Sequence, residues 1–426
     1  MQSRNNESFK IAIIGLGYVG LPLAVEFAKY FDTIGYDINS KRINDLRIGI
    51  DNTGEISKNE LKESKLKYSD KEIDLKSNNF YIVTVPTPID NFKNPDFYYI
   101  EEACKLVSKY IQKGDIVVFE STVYPGATRE ICIPILEEIS GLKLNTDFGI
   151  GYSPERINPG DKSHTIKDIV KLTSGSDTNT LDIVNSLYSR IIKAGTFKVS
   201  SIEVAETAKV IENTQRDINI ALMNEFSMIF QKLNISSKEI LEAANTKWNF
   251  LNFEPGLVGG HCIGVDPYYL TYKAKKIGMS PNLILAGREI NDNMAHAVLD
   301  IFLKLALKRS LFKVSKKILL MGITFKENCP DIRNSKSLEL LEKLIEYGLD
   351  VDVYDPVADY SKITNYKIIS DLNTNFQKKY AGILITVKHE IFKSLNIKFL
   401  RKICVPNSII FDLKGIYSNN DVDLTL

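Results

Sequence analysis

The sequence lacks the features that mark several large classes of protein. Its 54 Lys and Arg residues are balanced by 53 Asp and Glu, for a formal charge of +1 over 426 residues. It therefore has neither the positive field that non-specific nucleic-acid binders use nor the basic excess of a polybasic membrane-surface protein. Its five cysteines are odd in number and widely spread, which argues against a disulfide framework. With four histidines and no CxxC pair, no metal site is expected.

Targeting and membrane-spanning segments are also missing. Residues 1–10 are polar and do not have the basic-then-apolar layout of a signal peptide. The apolar stretch 11–25 is short and contains three glycines and one proline, so it does not suit a membrane-spanning helix. We therefore expect a cytoplasmic protein of two or three domains, with neither nucleic acid nor membrane as a partner.

Short apolar runs alternate with helical segments in the first part of the chain. Lys10–Gly15 is short, β-rich and apolar on both faces, and Val19–Tyr30 follows it with helical spacing. Further strands are expected at Thr33–Asp37, Phe80–Val85 and Asp115–Glu120. This alternation predicts βαβ units and a doubly wound parallel sheet.

The C-terminal part repeats this plan. Lys316–Gly322 predicts a strand, Ser337–Tyr347 a helix, and Asp350–Asp355 a strand that ends in an acid. Tyr380–Val387 and Ser408–Leu413 then repeat the third and fourth strands of the first copy. Between the two copies, residues 201–233 contain neither Pro nor Gly, which predicts one long helix whose apolar face could also be a dimer surface.

A glycine motif follows the first strand. Gly15, Gly17 and Gly20 have the GxGxxG spacing, and Asp37 closes the next strand. The first glycine permits a tight turn, the second lets a pyrophosphate approach the backbone, and the third lets the helix pack on the strand. Asp37 is placed to accept hydrogen bonds from an adenosine ribose, which favours NAD over NADP. The expected fold class is therefore α/β, with two Rossmann-like doubly wound parallel-sheet domains joined by a long central helix.

A second concentration of chemistry lies in residues 256–266. Four glycines in nine residues imply a loop whose backbone approaches something closely, and Cys262 lies inside it. A cysteine in a soluble protein is most often a small buried hydrophobe. That interpretation suits Cys104 and Cys132, which lie in apolar helical contexts, but it suits Cys262 poorly. His261 is expected to shape the loop, since no second histidine is near it in sequence.

The predicted long helix carries Glu206, Lys209, Glu212 and Asn213. Positions 209 and 213 are four apart and share one face. The ordinary interpretation is a solvated face with i,i+4 pairing; alternatively, a lysine facing a cysteine loop would lower the pKa of the thiol and stabilise an oxyanion. Two further segments, Thr84–Pro88 and Ser121–Gly126, follow strands at the edge where doubly wound sheets bind ligands, although ordinary turn chemistry also explains their Pro and Gly residues.

Six ordered motifs from Lys10 to the C-terminus resemble those of the UDP-glucose/GDP-mannose dehydrogenase family, the nucleotide-sugar 6-dehydrogenases. They are GLGYVGLP, STVYPG, SPERINPG, AETAKVIENTQRDINIALMNE, GLVGGHCIGVDPYYL and TFKENCPDIRNS. The resemblance implies NAD on the first Rossmann-like domain, a UDP-sugar substrate reaching the second, and a homodimer. It implies boundaries near 1–200 for the NAD domain, 201–310 for a central helical and dimerisation domain with the cysteine loop, and 311–426 for the UDP-sugar domain.

The family oxidises a sugar C6 alcohol to a carboxylate with two NAD per sugar, and the resemblance assigns roles to matching residues. Cys262 is expected to be the nucleophile, with Lys209 and Asn213 stabilising the oxyanion. Asp266 matches the water-activating acid, and Thr122 a threonine at the reacting carbon. The expected cofactor contacts are Gly15, Gly17, Tyr18, Val19, Gly20, Asp37, Arg42, Thr87, Thr122 and Arg333. The expected substrate contacts are Glu155, Arg156, Lys209, Asn213, Leu251, Asn252, Phe253, Pro255, Gly259, Arg288 and Lys326, with Arg288 reaching the neighbouring subunit's site.

Two positions depart from the UDP-glucose branch. Ile263–Asp266 stands where that branch has Phe-Pro-Lys-Asp, so one lysine contact to the cofactor is lost. Pro159 stands where a second glutamate is usual, which leaves Asp266 and Glu155 as alternatives for activating the hydrolytic water.

The motifs GGHCIGVDPYYL and SPERINPG look instead like the branch that acts on UDP-N-acetylhexosamines and supplies capsule or O-antigen precursors. UDP-GlcNAc is the favoured substrate, with UDP-GalNAc, UDP-ManNAc and UDP-glucose as alternatives. A two-electron dehydrogenase and a non-enzymatic NAD-sensing regulator are the competing functions.

Overall fold

The computed structural model describes residues 9–157, 164–360, 363, 365–372 and 379–426. The chain forms two compact units. The first consists of Met1–Glu212 with Tyr268–Ser280, and the second of Asn213–Pro267 with Pro281–Leu426. Within the described residues, no helix has both the length and the apolar character needed to cross a membrane.

Thirteen α-helices are described in the chain. They are α1 (Gly20–Phe27), α2 (Ser40–Arg47), α3 (Lys58–Glu63), α4 (Tyr98–Ser108), α5 (Ile133–Ser140), α6 (Thr178–Ile191), α7 (Ile202–Leu233), α8 (Ser237–Ala244), α9 (Asp266–Lys276), α10 (Asn282–Lys308), α11 (Lys336–Glu346), α12 (Glu390–Lys393) and α13 (Ile397–Lys402). The predicted long helix is α7, which begins one residue later than expected.

The first unit contains an eight-stranded sheet in the order β3-β2-β1-β4-β5-β6-β7-β8. Its strands are β1 (Lys10–Ile14), β2 (Asp32–Tyr36), β3 (Lys67–Ser69), β4 (Phe80–Val83), β5 (Ile116–Phe119), β6 (Gly149–Tyr152), β7 (Lys171–Gly175) and β8 (Thr196–Lys198). Strand β7 runs antiparallel to β6, and the other pairings are parallel. The chain order reverses between β1 and β4, the position at which doubly wound sheets open a crevice at their carboxyl edge.

The second unit contains a six-stranded parallel sheet in the order β11-β10-β9-β12-β13-β14. Its strands are β9 (Lys317–Met321), β10 (Asp350–Tyr354), β11 (Lys367–Ile368), β12 (Tyr380–Ile385), β13 (Cys404–Asp412) and β14 (Leu424–Thr425). Helix α10 packs its apolar face on this sheet so closely that a Cβ at Gly382 would lie 2.5 Å from the Phe302 ring. The predicted α/β class with two Rossmann-like sheets is confirmed.

The two sheets share the same turn geometry after their first strands. Gly15 has a φ of 96° and its amide donates to the Tyr36 carbonyl at 2.8 Å. Gly322 has a φ of 91° and its amide donates to the Tyr354 carbonyl at 3.0 Å. This left-handed backbone is one that glycine adopts at little cost. The internal repeat seen in the sequence therefore reaches the level of single hydrogen bonds.

Side chains repeat as well. In the first copy the Thr84 hydroxyl contacts the carbonyl oxygens of Ile14 and Gly15 as a donor. In the second copy the Thr386 hydroxyl contacts those of Met321 and Gly322 in the same way. Asp37 and Asp355 each accept a hydrogen bond from the amide that follows that glycine, at 2.9 and 2.7 Å. A threonine and an aspartate thus fix the same turn in both copies.

Glu206, near the start of α7, anchors the loop that follows β5. Its carboxylate oxygens accept hydrogen bonds from the amides of Gly126 at 2.5 Å and Thr128 at 2.9 Å, and its side chain is fully buried. Burial raises the pKa of Glu206 to about 7, against these hydrogen bonds, which favour the charged form.

We expect Glu206→Gln to flatten the pH dependence of stability on the acidic side. The unfolded carboxyl releases its proton near the ordinary pKa of 4.5, and the folded one near 7. In that window the folded state binds more protons, so Glu206 makes the free energy of unfolding fall as pH rises, by up to about 3 kcal/mol. Thermal unfolding of both proteins between about pH 4.5 and 8 measures the difference. Equal pH slopes would contradict the assignment.

Candidate active site

The glycine turn of the first unit leaves its middle residue open. A Cβ at Gly15 would lie 3.1 Å from the Thr84 carbonyl oxygen, and one at Gly20 only 1.8 Å from the Gly15 carbonyl oxygen. A Cβ at Gly17 would meet nothing within 4 Å. The backbone at Gly17 is therefore accessible beside the N-terminus of α1, as a bound pyrophosphate requires. The turn also contains the two other expected contacts, Tyr18 and Val19.

Two side chains hold this turn from β2 and α2. Asp37 accepts from the Leu16 amide at 2.9 Å, while Arg42 donates its Nε to the Leu16 carbonyl at 3.0 Å. The Arg42 guanidinium also lies 2.8 Å from Asp51. Arg42, expected as a cofactor contact, is thus placed under the turn, where it fixes the backbone that would contact the cofactor.

Thr87 and Thr122 lie on segments that follow the neighbouring strands β4 and β5, and both are half-buried. Ser121 ties the segments together by donating to the Val85 carbonyl at 2.6 Å. Since β1, β4 and β5 are adjacent and parallel, these segments share the sheet edge with the glycine turn. The contacts of Thr87 and Thr122 with a cofactor at this edge stay a prediction.

Lys209 is paired with the segment that follows β6. Its Nζ lies 3.6 Å from Glu155 Oε2, and both side chains are buried. Arg156, the next residue, lies 2.7 Å from Glu212. The interpretation of this face as a solvated one is therefore wrong for Lys209, and equally for Glu206 and Asn213, which are also buried. Pro159, the departure noted above, lies outside the described residues.

Sequence reasoning missed a buried ion pair under this segment. Lys171 on β7 lies 2.5 Å from Glu120, and it also donates to the Pro154 carbonyl at 2.9 Å. The Tyr188 hydroxyl donates to the other oxygen of Glu120. The pair fixes the start of the segment that carries Glu155. The signal available in the sequence was Glu120 itself, an acid that directly follows the apolar strand β5.

In the second unit, Cys262 is half-buried in the glycine-rich loop. A Cβ at Gly259 would lie 2.5 Å from the Asn334 carbonyl oxygen, and one at Gly260 would lie 2.5 Å from the Phe325 ring. The loop therefore packs closely against residues 325–334, as its glycines predicted. The other four cysteines are all buried, namely Cys104, Cys132, Cys329 and Cys404.

Asn213 and Asp266 are brought together beside this loop. Asn213 Nδ2 donates to Asp266 Oδ2 at 2.5 Å, and both side chains are buried. Asp266 is also bound to the loop's backbone, since its amide donates to the Cys262 carbonyl at 2.8 Å. The amide of Asn213 and the carboxylate of Asp266 are thereby held against the segment that carries the thiol.

His261 and Arg333 converge on one buried carboxylate. Asp331 is 2.9 Å from His261 Nε2 and 2.6 Å from the Arg333 guanidinium. Burial alone would raise the pKa of Asp331, but the hydrogen bonds from His261 and Arg333 outweigh it and hold the pKa well below its ordinary value. His261 thus shapes the loop, as expected. Arg333, expected at the cofactor, is half-exposed and paired with Asp331.

A basic cleft, lined by three lysines and Glu327, lies among residues that follow β9, β12 and β13. Lys326 lines it, as do two lysines that sequence reasoning missed, Lys336 and Lys414. Ser335 caps the N-terminus of α11 at the same cleft. Lysines beside a helix N-terminus suit a diphosphate, although Lys336 is also paired with Glu339 at 2.7 Å.

The remaining expected substrate contacts lie in the second unit. Leu251 and Asn252 are exposed, Phe253 and Gly259 are half-buried, and Pro255 is buried. Arg288 is buried, with its guanidinium paired to Asp217 and Asp292 of its own chain. Its expected reach into a neighbouring subunit stays a prediction.

Three profiles of the UDP-glucose/GDP-mannose dehydrogenase family match the chain: the NAD binding domain over residues 9–192, the central domain over 203–293, and the UDP binding domain over 319–419. A UDP-N-acetyl-D-glucosamine 6-dehydrogenase of Pseudomonas aeruginosa is 51% identical over 99% of this chain and 100% of its own length. Another from Salmonella typhi is 48% identical over 99% of each chain.

Among solved structures, the UDP-D-ManNAc dehydrogenase of Pyrococcus horikoshii superposes with a TM-score of 0.85 at 32% identity, covering 96% of each chain. These matches confirm the family resemblance of the motifs and the choice of NAD as cofactor. The chain therefore belongs to the UDP-glucose/GDP-mannose dehydrogenase family and is an NAD-dependent nucleotide-sugar 6-dehydrogenase.

Proposed function

We propose that this enzyme oxidises the C6 hydroxyl of a UDP-N-acetylhexosamine to the carboxylate, with UDP-GlcNAc as the preferred sugar. The observation that supports this choice is the 51% identity over nearly the whole chain to a UDP-N-acetyl-D-glucosamine 6-dehydrogenase. The relative named for UDP-D-ManNAc is more distant, at 32% identity. UDP-ManNAc, UDP-GalNAc and UDP-glucose are the alternatives, and the product's use in capsule or O-antigen stays a prediction.

The cofactor side of the proposal depends on the first unit. The open backbone at Gly17, the N-terminus of α1 and the carboxylate of Asp37 suit the pyrophosphate and ribose of NAD. NAD, when bound, accepts a hydride from the sugar carbon in each of two oxidations. Thr87 and Thr122 would line the same edge of the sheet, and Arg42 would keep the turn in shape.

Cys262 would perform the covalent part of the reaction. Its thiolate adds to the C6 aldehyde, a C–S bond forms, and the former carbonyl oxygen takes up a proton. The resulting tetrahedral carbon still carries hydrogen, so loss of a hydride from carbon and a proton from oxygen gives a thioester. Water then attacks the thioester carbon, the C–S bond breaks, and the carboxylate and the free thiol are released.

Further side chains would support these steps. Asn213, and Lys209 one helical turn before it, would stabilise the negative oxygen that forms on C6. The water needs a base, for which Asp266 and Glu155 are the candidates. Both carboxylates are buried beside a donor, Asn213 for Asp266 and Lys209 for Glu155. The same proposal places the NAD domain at residues 1–200, the central helical and dimerisation domain at 201–310, and the UDP-sugar domain at 311–426.

We expect Cys262→Ala to abolish uronate formation and to leave the affinity for NAD unchanged, because the thiol is needed only after the aldehyde has formed. Cys404→Ala, which removes a buried thiol of the same unit, is the matched control and should keep uronate formation. Chromatographic measurement of the uronate and titration of NAD by fluorescence test both statements. Uronate release by Cys262→Ala at the normal rate would exclude covalent catalysis.

The sugar and the number of electrons are tested together. We expect two NADH per sugar consumed, and the highest kcat/KM with UDP-GlcNAc among UDP-GlcNAc, UDP-GalNAc, UDP-ManNAc and UDP-glucose. The measurement is NADH absorbance with limiting sugar, followed by initial rates for each substrate. One NADH per sugar would indicate a two-electron dehydrogenase, and a higher kcat/KM with another sugar would reassign the substrate.

Gly17 and Gly20 should respond differently to the same substitution. A Cβ at Gly17 meets no protein atom within 4 Å, so Gly17→Ala should unfold at the wild-type temperature but bind NAD at least about tenfold more weakly, since the methyl group enters the pyrophosphate's space. Gly20→Ala should destabilise the fold itself, because its Cβ would lie 1.8 Å from the Gly15 carbonyl oxygen. Thermal unfolding and NAD titration separate the two. Unchanged NAD affinity in Gly17→Ala contradicts the assignment.

A further inference from the structure

One face of α7 carries buried amides and acids in the second unit. At about 100° per residue, Asn213, Asp217 and Asn224 lie within roughly 40° of one another around the helix. Their relative exposures are 2%, 0% and 0%. Burying a polar group costs free energy unless the group is hydrogen-bonded. The hydrogen-bond partners of these three side chains therefore show which segments this face of α7 holds in place.

Asn224 pairs with a single backbone residue. Its Oδ1 accepts from the Gly256 amide at 2.7 Å, and its Nδ2 donates to the Gly256 carbonyl at 3.1 Å. The Asn224 amide thus bonds both the backbone N–H and the backbone C=O of Gly256, as a residue of a neighbouring β-strand would. Gly256 is the first residue of the loop that ends at Asp266 and contains Cys262.

The same helix holds the other end of this loop, where Asn213 donates to Asp266 at 2.5 Å. The two asparagines are eleven residues apart on α7, which is about 16 Å along the helix axis. The ten steps from Gly256 to Asp266 would reach more than about 30 Å if extended. The loop therefore has to fold back between two fixed ends, and Cys262 lies within the folded part, where Gly260 adopts a φ of 84°.

Asn224 itself is held in one orientation. Its Nδ2 also donates to Asn291 Oδ1 at 2.8 Å, and Asn291 Nδ2 donates to Asp217 at 2.8 Å. Asp217 in turn is 2.6 Å from the Arg288 guanidinium. All four side chains are at most 2% exposed. This network uses both donors and the acceptor of Asn224 and opposes rotation of its amide.

We propose that Asn224 is a positioning residue for Cys262: by clamping Gly256 it sets the span of the loop and hence the place of the thiol. The proposal builds on the covalent role of Cys262 set out above. The first oxidation of the sugar needs no thiol, whereas capture of the aldehyde does. Loss of the clamp should therefore impair the second half of the reaction more than the first.

The test uses Asn224→Asp and Asn224→Ala in the full-length enzyme, with Asn219→Ala as the matched control. Aspartate has the shape of asparagine, but it replaces the Nδ2 donor with an oxygen. That oxygen would face two other acceptors, the Gly256 carbonyl and Asn291 Oδ1. Asn219 lies on the same helix, and its Nδ2 donates to the Gln215 carbonyl four residues earlier in that helix. The readouts are NADH and uronate formed, aldehyde trapped by hydroxylamine, NAD affinity, and the pH profile of Cys262 alkylation by iodoacetamide, located by peptide mass spectrometry.

We expect both Asn224 variants to form uronate at least about tenfold more slowly, as displacement of a reacting group by about 1 Å would cause. NADH per uronate should rise above two because aldehyde escapes, and the alkylation profile of Cys262 should shift while NAD affinity stays unchanged. Asn219→Ala should match the wild type in every readout. An unchanged alkylation profile, or an equal loss in both oxidations, would overturn the role of Asn224.

The alkylation readout needs no turnover, so it tests the clamp even in a variant of low stability. It also separates the two proposals. Wild-type enzyme that yields one NADH per sugar would overturn the covalent function. Wild-type alkylation of Cys262 in both Asn224 variants would overturn the clamp alone.

Discussion

The buried polar face of α7 is the constraint on which the candidate chemistry depends. Glu206, Lys209, Asn213, Asp217 and Asn224 lie within about 80° of one another around the helix, and none is more than 4% exposed. Each has a partner within its own unit. Glu206 binds the loop after β5 and Lys209 pairs with Glu155. Asn213 pairs with Asp266, Asp217 with Arg288, and Asn224 with Gly256. Within the second unit, Asn213 and Asn224 lie on one continuous helix, so their spacing along α7 determines the spacing of the two loop ends that they hold.

Such a face costs stability. Withdrawing a charged group from water costs several kcal/mol even with a partner, and apolar residues of similar volume often pack at least as well. The apolar clusters of the two sheets, including Ile11, Ile82 and Val118 in the first unit, offset this cost. The polar face is therefore better explained by what it positions than by what it adds to stability. This is the physical reason to look for function along α7.

Local features of the fold could be predicted from the sequence, because buried parallel strands are apolar throughout and glycine marks tight turns. Strands β1, β4 and β5 and helix α7 begin and end within about two residues of expectation. Features that depend on distant partners could not be predicted. Lys209 suggested a solvated face because Glu155 is far away in sequence. Glu120, an acid directly after an apolar strand, could have signalled a buried charge, but it did not identify Lys171 as the partner. Strand β7 and its antiparallel direction were also missed, because no apolar run marks residues 171–175 in the sequence.

The candidate site divides in the same way. Cys262, Asn213 and Asp266 were expected from motifs, and the structure adds that Asn213 and Asp266 are paired at the end of the loop that carries Cys262. Lys336 and Lys414 were missed because a lysine in sequence is usually a solvated charge, and only the folded chain brings them to the same cleft as Lys326. For Arg288 the described contacts are with Asp217 and Asp292 of its own chain, and its expected reach into a neighbouring subunit stays a prediction.

The two copies of the turn show how one backbone scheme serves two ligands. In the first copy α1 begins five residues after Gly15, so a phosphate can meet bare backbone and the helix N-terminus directly. In the second copy α11 begins fourteen residues after Gly322, and the intervening loop brings Lys326 to a basic cleft. A short glycine turn offers a pyrophosphate backbone amides, and under our proposal the longer loop would offer it the side-chain charge of Lys326 and leave room for a sugar. The length of the segment between strand and helix, more than the sheet itself, therefore decides which ligand each copy suits.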